Sequence, residues 1–424
     1  KAASYTTGLY ARIRDQFGLP IGKFEGVDEA LARIGAYTYQ MEASQDLALT
    51  GVDMGETPSV ISALLKYHNT ERYRKVINDA MDIHGGKAVV LGPRNYLAGA
   101  YQAIPVAITV EGANILTRSM MIFGQGAIRC HPYVLKEMKA AYANDAAAFD
   151  QAFSAHGHFI LTNVFRSFWL GLTNGAFSSA PKGGVTATYY KQMNRIAANF
   201  ALLADMSMFS LGGSLKFKEK ISARLGDILS NLYICSAVLK RFEKEGAQKA
   251  DEPLMQYAAE QALYDAQTAI DGVLKNLPAR PLAWILRVLI LPTGRRIAPP
   301  SDKLGSKVAA AMMRGDDTLA RLTHGMYIPQ DETESVGVLA PAHAAVIATE
   351  ELEKKLRNRA RKGEFAAVSP ATQLQEALDT GVITQEQFDQ ITRARKLKRD
   401  VIMVDDFDMQ LDKHDETLLS RHVF

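Results

Sequence analysis

Residues 57–86 read TPSVISALLKYHNTERYRKVINDAMDIHGG. This stretch has a start, a periodic middle and a stop. Thr57 followed by Pro58 predicts an N-cap with proline in the first turn, where its missing N–H costs nothing. Ile61, Leu64, Leu65, Val76, Ile77 and Met81 follow at helical spacing. Gly85-Gly86 ends the run, because glycine takes the backbone conformations that close a helix. The same pattern extends outward. Upstream, Leu31, Ile34, Tyr37 and Met41 fall near one face between Asp28 and Leu49. Downstream, a helical run after Gly112 carries Ile115, Leu116, Ser119 and Phe123. No series of alternating strands interrupts these helices, so the sequence predicts an all-α fold.

Around Ala140–Ala148 the chain turns alanine-rich, which suits a linker or a helix. A boundary there gives a helical bundle over 1–139 and a helical extension over 140–424. Within the extension a long helix is expected from about Ser214 to Glu243. Its stripe of Ile228, Leu232, Cys235 and Leu239 reads as core. Thr384-Gln385-Glu386-Gln387 has the form of a capping box opening a helix toward Arg399. Lys1–Arg14 reads as a helix already in progress, with no signal-peptide pattern, so the sequence is expected to be a piece of a longer chain.

A chain of 424 residues exceeds one ordinary core, so more than one domain is expected. Hydrophobic residues at 47% and charged residues at 22% exclude disordered and collagen-like classes. A net charge of +3, without a compact basic run, gives no reason to expect a nucleic-acid partner. Cys130 and Cys235 lie far apart, which argues against a disulfide framework or a cysteine zinc site and for a reducing compartment, the cytoplasm. His156 and His158 form a His-x-His pair without further ligands close in sequence, so no metal site is expected.

Three local patterns carry chemistry. They are Arg14-Asp15-Gln16-Phe17-Gly18, then Asp82-Ile83-His84-Gly85-Gly86, then Thr109-Val110-Glu111-Gly112-Ala113-Asn114. Each alone is an ordinary surface or turn signal. Arg14 offers a permanent charge and a planar fork suited to pyrophosphate. Gly85 and Gly86 let backbone approach a bulky ligand. Phe17 suits either an apolar wall or a core position. Taken in this order and spacing, the set resembles the C-terminal helical domain of acyl-CoA dehydrogenases. That family has Arg-x-x-Phe-Gly, Gln-x-x-Gly-Gly and Glu-Gly-Thr elements in the same sequence. The resemblance covers roughly residues 1–130. It is closest to the large bacterial fatty-acid-oxidation members, through Glu111–Arg118 and the run Phe123-Gly124-Gln125-Gly126-Ala127-Ile128-Arg129. Leu211–Lys216 and Ser222–Asp227 resemble the C-terminal extension of that subgroup.

The resemblance implies a role for each matching residue. Glu111 would be the general base that removes a proton beside a thioester carbonyl, which requires a desolvated carboxylate. Gly112 would leave room for the thioester. Arg14, Phe17, Glu25, Asp82, Gly85, Gly86 and Ala113 would stand at contacts to FAD, with the arginine reaching the flavin of a neighbouring subunit. A homo-oligomer follows. The expected activity is α,β-dehydrogenation of fatty acyl-CoA, with electrons passed to an electron-transfer flavoprotein. The sequence departs from the family at several points. Glu25 replaces a glutamine, Asp82 replaces the glutamine before x-x-Gly-Gly, and Ala113 replaces threonine. Tyr101-Gln102 stands where an Arg-Asp pair is usual. Because the family also needs an N-terminal helical domain and a middle β-domain, turnover by this chain alone is not expected.

Two alternatives stay open at this point: an acyl-CoA oxidase, and a non-catalytic helical scaffold docking on a membrane or partner subunits. The segment Pro281–Pro292 bears on the second. Trp284, Ile285, Leu286 and Leu289 form an apolar run that Arg280, Arg287, Arg295 and Arg296 flank or interrupt. The run is too short to span a bilayer, but it suits a helix on the anionic inner face of the cell membrane or a helix buried between domains.

Overall fold

The computed structural model describes residues 1–406, so residues 407–424 of the expected extension lie outside it. The all-α expectation holds. Among the described residues the only strands are β1 (Asp15–Gln16) and β2 (Leu19–Pro20), one antiparallel hairpin pairing Asp15 with Pro20 and Gln16 with Leu19.

The first part of the chain supplies α1 (Ala2–Ile13), α2 (Glu25–Asp53), α3 (Ser59–His84) and α4 (Ala98–Thr109). α3 begins just after Pro58 with no side-chain cap, so the Thr57 cap is not formed. α2 and α3 run antiparallel. Arg33 meets Asp79, Gln40 meets Arg72 and Ser44 meets Asn69, each pair one step further along. After α4 come a short helix at Asn114–Leu116 and a π-helix at Thr117–Gln125.

The extension then adds α5 (Val134–Tyr142), α6 (Ala146–Leu172), α7 (Ala187–Leu211), α8 (Glu219–Lys244) and α9 (Glu252–Asn276). The alanine-rich stretch is helical, divided by a turn at which Asp145 caps α6 through the Ala148 N–H. α10 (Arg280–Ile290), α11 (Asp302–Arg314), α12 (Leu339–Arg361), α13 (Pro370–Asp379) and α14 (Gln385–Ile402) complete the order. The capping box at Thr384 and Gln387 is present. The stripe of α8 packs inward, with Ile228, Cys235 and Leu239 fully buried.

One large hydrophobic core draws on both sides of position 140. It joins Leu9, Ile34 and Ile77 to Ile234, Leu263 and Met312. Two glycines permit this close fit. A β-carbon at Gly8 would lie 2.4 Å from the Met312 carbonyl oxygen, and one at Gly35 would lie 3.0 Å from Val308. Helix α11 of the extension therefore lies directly against α1 and α2. A second, smaller core of Leu356, Leu374, Ala377, Ile383 and Ile391 packs α12–α14 into a three-helix unit, which Leu339 of α12 and Leu397 of α14 join to the large core. Helix α7, with the turn to Phe217, is long and apolar enough to cross a membrane, yet it carries buried Arg195, Asn199 and Asp205 and packs on α6, α8 and α9.

Candidate functional site

The three chemistry-bearing patterns form two structural groups, at opposite ends of α3. The first group gathers where α3 ends. Arg14 follows the last residue of α1, and its Nη1 donates to the Tyr10 hydroxyl. The Tyr10 ring lies on His84, the last residue of α3, and the Tyr10 O–H reaches the His84 carbonyl. That stack joins the arginine pattern to the Gly-Gly pattern. Gly85 and Gly86 face open space, since a β-carbon at either would meet nothing within 4 Å. His84 itself is buried between Tyr10 and Tyr96, and burial drives its pKa down to about 3.

Phe17 and Gly18 form the tip of the β1–β2 hairpin, with φ of 51° and 81°. Two-residue hairpin turns of this kind want φ > 0 at both positions, normally from Asn-Gly. A phenylalanine there carries roughly 1 to 2 kcal/mol of left-handed backbone strain. Its ring is 92% exposed, so the core reading of Phe17 is excluded. Glu25 is exposed in the first turn of α2, where the helix dipole favours a carboxylate over the family's glutamine. Asp82 is exposed on the last turn of α3, beside the glycines.

The second group surrounds Glu111. Glu111 and Gly112 both take positive φ, 53° and 91°, and turn the chain from α4 into Asn114–Leu116. Five non-glycine residues have positive φ among the described residues. Two are asparagines, which tolerate it; Phe17 and Glu111 are two of the remaining three. Such strain persists only where the surroundings enforce it. Here α3 does so. Lys66 donates from Nζ to the carbonyls of Ile108 (3.3 Å) and Gly112 (2.7 Å) and to Asn114 Oδ1 (2.7 Å). Asn114 in turn donates to Thr70 Oγ1 and Glu71 Oε1. Among the described residues no acceptor engages the backbone N–H of Glu111, Gly112 or Ala113. Glu111 is exposed, so this chain does not form the cleft needed to desolvate it.

The extension braces this second group. Arg118 of the π-helix forks onto Asp227 of α8, at 3.0 and 2.5 Å. Gly226 lies against Ile122, and Gly124 against Ser222. The Ser222–Asp227 pattern, silent about chemistry in the sequence, is the packing partner of the segment behind Glu111. Lys66, Thr70 and Tyr10 carry no signal in the sequence, because a helical lysine, threonine or tyrosine has no local pattern, and Asp227 stands out only as the end of its motif.

Outside these groups the fold corrects one reading. His156 does have company: its Nδ1 is 2.8 Å from Glu137 Oε1, and its Nε2 is 3.3 Å from Asp205 Oδ1. His131 Nε2 is 2.8 Å from the same Asp205 oxygen, while His158 is exposed and apart. His131, His156 and Asp205 offer ligand atoms within 4.8 Å of one another, a spacing that a metal ion could use. The hydrogen bonding assigns protons instead. His131 Nδ1 accepts from the N–H groups of Tyr133 and Val134, so its Nε2 carries the proton given to Asp205. Beside the cluster lies an apolar pocket of about 240 Å³ between Phe123, Phe159, Phe200, Met208 and Leu229.

Known proteins share the family and the fold of this chain. A family model described as "Acyl-CoA dehydrogenase, C-terminal, bacterial type" matches residues 128–407, and one described as "Acyl-CoA dehydrogenase, C-terminal domain" matches residues 2–122. The chain belongs to the acyl-CoA dehydrogenase family, and its larger part is of the bacterial type. A relative from Clostridium sporogenes (strain ATCC 15579), named 3-(aryl)acrylate reductase, is 28% identical over 106 residues, 25% of this chain and 27% of that protein. A Bacillus anthracis acyl-CoA dehydrogenase solved in complex with FAD shares the fold at a TM-score of 0.55 and 17% identity, over 74% of this chain and 53% of that one. The chain thus spans about a quarter of the curated relative and about half of the solved one.

Proposed function

We propose that the full-length protein is an FAD-dependent dehydrogenase that introduces the α,β double bond into fatty acyl-CoA thioesters. The observation that carries the reading is the Glu111-Gly112 turn. It is a strained turn clamped by Lys66, with three backbone donors free beside one carboxylate. FAD, when bound, supplies the acceptor for the hydride leaving the β carbon. Glu111 takes the proton from the α carbon. The free N–H groups of the turn polarise the thioester carbonyl, which acidifies that carbon. Walls from outside this chain desolvate Glu111, as a carboxylate acting as general base requires.

The two groups sit too far apart to serve one reacting centre. Lys66 and His84 are separated by about 27 Å along α3, at ~1.5 Å per residue. Arg14, Phe17, Gly85 and Gly86 therefore serve the flavin of a neighbouring subunit, and the working enzyme is a homo-oligomer. Arg14 has guanidinium donors left over for a pyrophosphate after its bond to Tyr10, and the open glycines admit the dinucleotide. An electron-transfer flavoprotein takes the electrons onward, and helix α10 rests on the inner face of the membrane. A second reading runs the same proton and hydride steps backward, and the name of the 3-(aryl)acrylate reductase favours it.

The test is Glu111→Gln in the full-length protein. Glutamine keeps size and hydrogen bonding but cannot take the proton. Flavin bleaching by saturated acyl-CoA should slow by at least about a hundredfold, with flavin content unchanged. Near-normal bleaching in a flavin-loaded variant removes Glu111 from the role of base. Reoxidation by oxygen against flavoprotein distinguishes an oxidase, and turnover of an aryl acrylate distinguishes the reductase.

A further inference from the structure

We propose that the three-helix unit α12–α14 serves the flavin-facing hairpin: Arg357 and Lys398 are positioning residues that hold Phe17 in its outward, left-handed conformation. The purpose assigned to this clamp rests on the flavin reading above; its mechanics rest on contacts alone.

A hairpin with two-residue strands is marginal by itself. This one also carries a phenylalanine where a glycine or asparagine would be relaxed. Something must over-determine it. Two ties reach it from more than 300 residues away. Arg357 of α12 donates from Nη1 to the Gly18 carbonyl oxygen at 2.9 Å, on the turn itself. Lys398 of α14 donates to Asp15 Oδ2 at 2.5 Å, on the first strand. Arg12, at the root of the hairpin, pairs with Glu350 of α12 at 2.6 Å. The unit is stiff enough to act as an anchor, because Arg395 forks onto Glu353 and so fastens α14 to α12.

The same unit reaches the other flavin-facing loop. Met403, just past α14, accepts from Lys87 Nζ at 3.1 Å, and Asp405 accepts from the Arg94 N–H at 2.9 Å. Both contacts fall in the segment that follows Gly85-Gly86. Between the hairpin and the helices runs an open groove of about 1110 Å³, so the clamp fixes the hairpin without covering it. Phe17 meets Phe24 edge to face at 6.3 Å and is otherwise exposed, presented for contact with something outside this chain.

The test uses the full-length protein with Arg357→Ala, Lys398→Met, the double variant, Arg357→Lys and Arg14→Ala. Amide exchange is read over residues 15–20, together with the Kd for FAD after deflavination and the global melting temperature. In both single variants hairpin exchange and the FAD Kd should each rise by about tenfold, further in the double, with melting unchanged. Arg357→Lys should recover most of the loss, since lysine also donates to the Gly18 carbonyl. Unchanged hairpin exchange overturns the clamp. Faster exchange with wild-type FAD affinity, while Arg14→Ala loses flavin, overturns its service to the cofactor. Arg14→Ala that keeps its flavin overturns the flavin reading, and with it the purpose given to the clamp.

Discussion

Tyr10 and His84 lie face to face, with ring centroids 4.1 Å apart and planes 17° from parallel. The stack holds a neutral histidine. His84 Nδ1 is 2.8 Å from the Ala80 carbonyl, which only accepts, so Nδ1 carries the proton and Nε2 accepts from the Tyr96 hydroxyl. A second proton would put a positive charge in a buried site, near the cations of Lys87 and Arg14.

Acid should therefore loosen the junction of the Arg14 and Gly85 patterns. Burial lowers the folded pKa of His84 from 6.5 to about 3. Between those values the unfolded chain binds the extra proton. The contribution is complete above pH 6.5 and is lost as pH falls toward 3, at up to about 1.4 kcal/mol per pH unit. Urea melts at pH 7.5 and pH 5 should show wild type losing roughly 2 kcal/mol more than His84→Gln over that interval. Equal losses in the two proteins would mean that His84 does not carry the linkage.

Lys66→Met should damage the turn that bears Glu111 while sparing the hairpin that bears Phe17. The variant leaves the Ile108 and Gly112 carbonyls and Asn114 Oδ1 without their shared donor. With about 1 to 3 kcal/mol of local support gone, kcat should fall at least tenfold with flavin content unchanged. Flavin loss with an intact rate per bound flavin would place Lys66 on the cofactor side instead.

The helices were legible because their signals are local. The stop at Gly85-Gly86, the Thr384 capping box and the stripe through Ile228, Cys235 and Leu239 each depend on residues a few positions apart. Glu111 stands out in the sequence through its motif, and the structure adds the positive φ of its turn. The clamps on Glu111 and Phe17 were not, because they join Lys66 to Gly112 and Arg357 to Gly18 across long loops of chain. Local pattern holds no information about which distant lysine or arginine will arrive. Phe17 shows the limit from the other side: an aromatic before glycine suits an apolar wall or a core position alike, and its exposure decides against the core.

Asp205 should matter more to stability than either histidine that it holds. It is buried on α7 and accepts from His131 Nε2, while His156 sets Nε2 3.3 Å from the same oxygen and Nδ1 2.8 Å from Glu137 on α5. Asp205→Ala strands the His131 Nε2 donor and removes the buried carboxylate beside His156, and should cost roughly 2 to 4 kcal/mol. His131→Phe should cost less, because it removes only one donor to Asp205. Zinc at a few equivalents should leave the melting temperature of wild type unchanged, since the His131 proton occupies the coordinating nitrogen. A zinc-dependent rise in wild type that vanishes in Asp205→Ala would reverse this assignment and make the cluster a metal site.

Helix α10 gives the membrane proposal its sharpest test. It buries Ala283, Leu286 and Ile290 against the core and leaves Trp284, Ile285 and Val288 about 60% exposed. Next to it, where Gly171 meets Ile290 and Pro292, α6 exposes Phe165, Trp169 and Leu172. Cations surround the patch and outnumber its acid: Lys275, Arg287 and Arg295 all converge on Asp271. Aromatic residues at a basic rim fit the interface of an anionic bilayer. The full-length protein should sediment with vesicles containing anionic lipid and much less with zwitterionic ones, and added salt should weaken the binding. Changing Trp284, Ile285 and Val288 together to serine removes apolar burial of a few kcal/mol, so binding should fall by at least about tenfold with flavin content intact. Equal binding by the triple variant would rule out α10 as the contact. If the full-length protein ignores vesicles altogether, the patch is covered by another part of the assembled enzyme.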